Sequence, residues 1–112
     1  MSQPIPEADV TQLPAELPSD LVVLDVREDD EWRAGHIEDA LHIPLMQVPQ
    51  RLSELPEGQL LVVCKMGGRS ARATALLQAQ GRAAVNLAGG MLAWERAQRP
   101  MVTDTGVPAQ VV

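Results

Sequence analysis

Short apolar runs bounded by turn-forming or charged residues set the rhythm of this chain. Leu21-Val22-Val23-Leu24-Asp25-Val26 is apolar on both faces, which predicts a parallel strand covered by helices on either side. Gln59 to Val63 predicts a second strong strand, Ala83 to Leu87 another, and Ala40-Leu41-His42-Ile43 a brief one stopped by Pro44. Between them the spacing turns helical. Glu28 to Ala34 reads as a short acidic helix closed by Gly35, and Ser70 to Gln80 places Ala71, Ala75, Leu76 and Ala79 on one face before Gly81. Met46, Val48, Leu52 and Leu55 also have helical spacing, although Pro49 suits only a first turn. Ile5 to Leu13 predicts a short strand and the start of a helix, with Pro6 in its first turn. Leu17-Pro18-Ser19-Asp20 and Gly89-Gly90 read as turns, and Met91 to Gln98 as a last short helix. From Arg99 to Val112, Pro100, Gly106 and Pro108 predict a loosely attached tail. Strands alternating with helices imply an α/β fold with a mainly parallel sheet, in which ligands sit at the carboxyl ends of the strands.

With 112 residues, 46% hydrophobic and 21% charged, the chain has the size and balance of one globular domain, its core about residues 5–98. Trp32 and Trp94 are its only aromatic residues besides the histidines, so Leu, Val, Ala, Ile and Met must build the core. Each tryptophan reads as core, or as the floor of a pocket. A net charge of −6 argues against general nucleic-acid binding and against an anionic membrane, so any cationic site has to be local. No apolar stretch reaches spanning length, and Met1-Ser2-Gln3-Pro4 lacks the layout of a signal peptide. A single cysteine leaves no internal disulfide and no C-x-x-C pair, and suits a reducing, cytoplasmic compartment.

That cysteine carries the candidate chemistry. Cys64 ends the apolar run Leu60-Leu61-Val62-Val63, and Lys65-Met66-Gly67-Gly68-Arg69-Ser70 leads from it into a helix. A free thiol has a pKa near ~8.5 and is mostly protonated at neutral pH. Unpaired N–H groups at a helix start, with Lys65 and Arg69 nearby, favour the anion, and a pKa lowered by ~2 represents about 2.7 kcal/mol. The glycines let successive N–H groups converge on one anion. A lone cysteine after an apolar run is commonly only a small buried hydrophobe. A core cysteine, however, has no need of Gly-Gly-Arg-Ser behind it.

These residues resemble the rhodanese-like domain in its single-domain form, from about Ile5 to Trp94. The resemblance rests on Asp25-Val26-Arg27-Glu28, Glu31-Trp32, Gly35-His36-Ile37 and Ala40 to Pro44. It rests also on the loop C-x-x-G-x-R-S, met by Cys64, Gly67, Arg69 and Ser70, and on Leu87-Ala88-Gly89-Gly90 with Ala93-Trp94. It implies a five-stranded, mostly parallel sheet with helices on both faces, and sulfur transfer through a persulfide on Cys64. The spacing from Cys64 to Arg69 is C-x4-R. Related phosphatases and arsenate reductases have a longer C-x5-R loop around a tetrahedral anion, so the shorter ring suits one sulfane sulfur better than phosphate.

The resemblance implies a two-step covalent transfer: a small anionic donor such as thiosulfate gives its outer sulfur to Cys64, and cyanide, a thiol or a partner protein removes it. Lys65, Met66, Gly67, Gly68, Arg69 and Ser70 are expected to hold the anion through their N–H groups. Lys65 either attracts the donor or is simply solvated, and Arg69 either braces loop carbonyls and carboxylates or meets the ligand. Arg27 either adds positive potential to the pocket or pairs, like Asp25, with loop backbone, Glu28 or Glu31. His36 and His42 stand in no general-base motif, and neither a metal nor a nucleotide cofactor is expected. Met46, Met66, Met91 and Met101 make either core filler or a pliable partner surface. A sulfur carrier for a partner protein and a non-catalytic binding module are the alternative functions; monomer is the default state.

Overall fold

The computed structural model describes residues 5–112. Met1-Ser2-Gln3-Pro4, read above as unlike a signal peptide, lies outside the described residues. The apolar runs become a five-stranded sheet in which every pairing is parallel, in the order β1-β5-β4-β2-β3. Its strands are β1 (Glu7–Ala8), β2 (Val22–Asp25), β3 (Leu41–His42), β4 (Leu60–Val63) and β5 (Ala84–Leu87). The helices are α1 (Asp29–Ala34), α2 (Gly68–Ala79) and α3 (Gly90–Arg96).

Strand β4 is central and wholly buried, paired on one side from Leu60↔Ala84 to Val62↔Asn86 and on the other from Val22↔Leu60 to Asp25↔Val63. Successive side chains of a strand point to opposite faces, and here that alternation makes two cores. Leu60, Val62 and Cys64 pack with Leu24, Val26, Ala73 and Leu77 on the α2 side. Leu61 and Val63 pack with Leu87, Met91 and Trp94 on the α3 side. Cys64, one residue beyond β4, therefore continues the α2 face at the carboxyl edge of the sheet.

The departures from expectation have local causes. Residues 45–54 form two 3-10 turns, Leu45–Gln50 and Leu52–Glu54, in place of a helix across Met46 to Leu55; Pro49 lies inside the first and donates no hydrogen bond. Pro6 precedes strand β1, and its carbonyl accepts from the Asn86 N–H at 2.9 Å; the one-turn 3-10 helix Val10–Gln12 starts later, capped by Asp9. Gly35 ends α1 with an extended backbone, and its small size is needed for another reason: a Cβ there would lie 2.8 Å from the Gln110 nitrogen.

That contact belongs to the largest departure. The tail is pinned to the domain. Val102 forms an antiparallel bridge with His36, its N–H donating to the His36 carbonyl at 2.8 Å, and the Gln110 N–H donates to Ala34. Met101 and Val111 join the α3-side core, and the Trp94 indole donates to Pro100. Proline and glycine correctly marked the absence of regular structure, but the apolar residues between them find a surface to bury.

Among the described residues, no helix is long and apolar enough to cross a membrane, and no group of three metal-ligating side chains gathers.

Candidate active site

The centre of the site is Cys64, a residue 1% exposed at the start of the turn that joins β4 to α2. Gly67 caps α2 in a left-handed conformation (φ 109°), which aims its N–H at Cys64 Sγ at 3.1 Å. A side chain would resist that conformation, and a Cβ at Gly67 would also press on the Gly89 nitrogen at 3.3 Å. The Ser70 hydroxyl lies 3.2 Å from the same sulfur. Burial pushes the Cys64 thiol up, and the Ser70 hydroxyl with the N–H groups of Ser70, Gly67 and Met66 outweighs it. The thiol ends below its ordinary range.

The loop is held from three sides. From α1, Glu31 takes a bidentate pair from Arg69, at 2.6 and 2.8 Å. The Arg69 bonds hold the Glu31 carboxyl down at about 2, against burial, with the Glu28 N–H helping. From α3, the Met91 N–H donates to the Cys64 carbonyl at 2.7 Å and the Leu92 N–H to the Lys65 carbonyl at 3.0 Å. That approach is so close that a Cβ on Gly90 would overlap both carbonyl groups. From β5, buried Asn86 accepts from Ser70 and donates to the Gly67 carbonyl at 3.2 Å and to Glu7 on β1 at 2.9 Å.

The expected site residues separate accordingly. Gly67 and Ser70 touch the sulfur. Arg69 braces the loop through a carboxylate. Lys65 is half-buried, with its carbonyl taken by α3. Met66 is exposed at 69%, and Gly68 is exposed with nothing near its missing Cβ. Arg27 is corrected from ligand contact to structural brace: it has no exposed surface, its Nη2 meets Asp25 at 2.8 Å, and it donates to the Gly35 carbonyl. Its guanidinium is committed to Asp25 and the Gly35 carbonyl, and a buried guanidinium requires a carboxylate close by.

From the sequence, Asn86, Glu7 and Gly90 had no assigned part in holding the loop. Asn86 had a visible signal, a lone amide in the otherwise apolar run Ala84-Val85-Asn86-Leu87. Glu7 acts across the fold and left none, and Gly90 showed only as half of a turn. His36 and His42 both stack on Trp32, with ring centroids 3.6 and 4.7 Å away, so Trp32 is part of a packed ring cluster. Trp94 is core at 2% exposure. Met91 is buried, whereas Met46 and Met66 are exposed.

The model of the rhodanese-like domain family matches residues 9–97, most of the chain. The chain belongs to that family. A sulfurtransferase of Allochromatium vinosum is 40% identical over 89 residues, covering 78% of this rhodanese-like chain and 83% of that protein. A putative sulfur carrier protein of Bacillus subtilis, YrkF, is 36% identical over 80% of this chain and 51% of its own length. The crystal structure of a rhodanese-related protein from Thermoplasma volcanium superposes with a TM-score of 0.73 at 31% identity, covering 76% of this chain and 86% of that one. Family and relatives support a rhodanese-like role in sulfur transfer.

Proposed function

We propose that this rhodanese-like domain moves sulfane sulfur through a persulfide on Cys64, with thiosulfate or a similar anion as donor and a thiol, cyanide or partner protein as acceptor. The observation that carries the reading is the buried Cys64 sulfur receiving the Gly67 N–H and lying beside the Ser70 hydroxyl, in a C-x4-R loop. The Cys64 thiolate attacks the outer sulfur of thiosulfate. A bond forms between Sγ and that sulfur, and the donor's S–S bond breaks, its electron pair leaving with sulfite. Charge then resides on the terminal sulfur, inside the ring of N–H groups from Lys65 to Ser70 and near the positive end of α2. An acceptor nucleophile takes the terminal sulfur, and the electron pair of the broken bond returns to Sγ. Lys65, the half-buried cation next to the nucleophile, draws the anionic donor against a chain charge of −6.

A carrier shares this chemistry and differs in its partners. Two observations favour keeping that reading: the near-complete burial of Cys64, which shields a persulfide from stray thiols, and the resemblance to a putative sulfur carrier. The experiment is intact mass after incubation with thiosulfate, without reductant. A gain of one sulfur atom, removed by cyanide and absent in Cys64→Ser, is expected. Sulfur uptake that persists in Cys64→Ser would sink the assignment. Turnover rates with thiosulfate and cyanide then separate an enzyme, fast with small donors, from a carrier, slow with them.

A further inference from the structure

The geometry points to Asn86 as a positioning residue that decides when the Ser70 hydroxyl serves the Cys64 sulfur. Ser70 has one hydroxyl proton and two acceptors, Cys64 Sγ at 3.2 Å and Asn86 Oδ1 at 2.5 Å. Asn86 cannot turn away. It is 1% exposed, and its Nδ2 donates to Glu7 Oε2 and to the Gly67 carbonyl. Reversing the amide would set its oxygen against a carboxylate and a carbonyl, so Oδ1, which can only accept, must face Ser70.

The bookkeeping of that single proton depends on the state of the sulfur. As a thiol, Cys64 donates to Ser70 Oγ and Ser70 donates to Asn86 Oδ1, so every group is satisfied. When the thiol proton leaves to solvent, Ser70 turns its O–H to the thiolate, and Asn86 Oδ1 is left buried without a donor. An unpaired buried acceptor is costly. In a persulfide the charge has moved to the outer sulfur, Sγ no longer needs the hydroxyl, and Ser70 returns to Asn86. Asn86 thus disfavours the bare thiolate alone, relative to both thiol and persulfide. On the Cys64 reading above, it makes Cys64 a poorer leaving group and holds the sulfur until a strong acceptor arrives. The charged groups around the sulfur (Lys65 and Arg69 on the loop, Glu28 and Glu31 on the α1 side, Glu7 behind Asn86) are retained in every variant below.

The test is the Cys64 thiol pKa, read from the pH dependence of its alkylation by iodoacetamide. Asn86→Leu, close in size and without an acceptor, is expected to lower it by about one, giving roughly tenfold more thiolate at a given pH below the midpoint. Ser70→Ala is expected to raise it. In the Ser70→Ala background, Asn86→Leu should move it no further, because the shared proton is gone. A purely structural role, exerted through the Gly67 carbonyl, would shift the pKa equally in both backgrounds. That result, or an unchanged or raised pKa in Asn86→Leu, overturns the proposal. If Asn86→Leu does not fold, the unaltered protein still answers: the side-chain carbonyl carbon resonance of Asn86 should titrate together with Cys64 and lose that step in Cys64→Ser. A resonance indifferent to Cys64 overturns it as well. Neither readout involves a persulfide, so their failure is distinct from a failure to take up sulfur.

Discussion

Gly67-Gly68 and Gly89-Gly90 look alike in the chain, and only the first follows a cysteine. In the folded protein the two pairs meet, since a Cβ on Gly67 would press on the Gly89 nitrogen. Their constraints are nevertheless unequal. In the first pair Gly67 alone is needed, for its left-handed conformation and the N–H it aims at the sulfur, while Gly68 faces open space. In the second pair both are needed. Gly89 is left-handed with Ala93 2.8 Å from its missing Cβ, and Gly90 lies against the Cys64 and Lys65 carbonyls. The pair that reads as a plain turn is thus the more constrained one. It lets the first turn of α3 hold the loop through the Cys64 and Lys65 carbonyls.

Alanine at Gly90 should have the largest effect. It drives a Cβ into two loop carbonyls and imposes φ +56° on a side chain, so a loss of about 3 kcal/mol or more is expected in urea unfolding. An unaffected midpoint would show that α3 can retreat from the loop without cost. Next comes Gly67→Ala, with Gly68→Ala as its counterpart. The former is expected to cost about 1–2 kcal/mol and to slow Cys64 alkylation at neutral pH, because its N–H swings away from the sulfur. The latter removes backbone freedom at the start of α2 and should leave both readouts nearly unchanged. Equal effects at the two positions would erase the contrast drawn above.

The smallest effect is electrostatic and sharpens the view of the loop as braced from outside. Glu31 has its carboxyl held at about 2 against an ordinary 4.5, chiefly by Arg69, so its contribution to stability is fully present above pH 4.5. It is lost progressively as pH falls through about 2. Glu31→Gln should therefore cost about 1 kcal/mol at pH 7, where the pair is partly exposed, and progressively less on acidification. The check is the gap between the two unfolding midpoints from pH 7 to pH 2; a gap that widens on acidification would contradict the ion pair as the brace.

Much of the frame was legible because it follows from short-range rules. A strand apolar on both faces, such as Leu60 to Val63, can only be the middle of a covered sheet, and its parity carries Cys64 to the face where α2 begins. Gly67, Arg69 and Ser70 were legible as neighbours of the sulfur for the same reason, lying within a few residues of Cys64. Arg27 was ambiguous because the sequence shows an arginine at a strand end without showing whether solvent reaches it. The tail was misread because loop-forming residues say nothing about whether Met101 and Val111 find a surface to cover.

By itself the sequence determined the strand–helix alternation, the position of Cys64 at the carboxyl edge of the sheet, and the six-residue span from Cys64 to Arg69. These are matters of periodicity and local geometry. Only the tertiary structure decided what holds that loop: Glu31 from α1, the first turn of α3 that Gly90 lets approach, Asn86 from the neighbouring strand β5, and Glu7 behind it on the edge strand β1. Those partners lie far from Cys64 along the chain. Hydrogen bonds and contact distances act through space, so no local pattern records which distant residue will complete them.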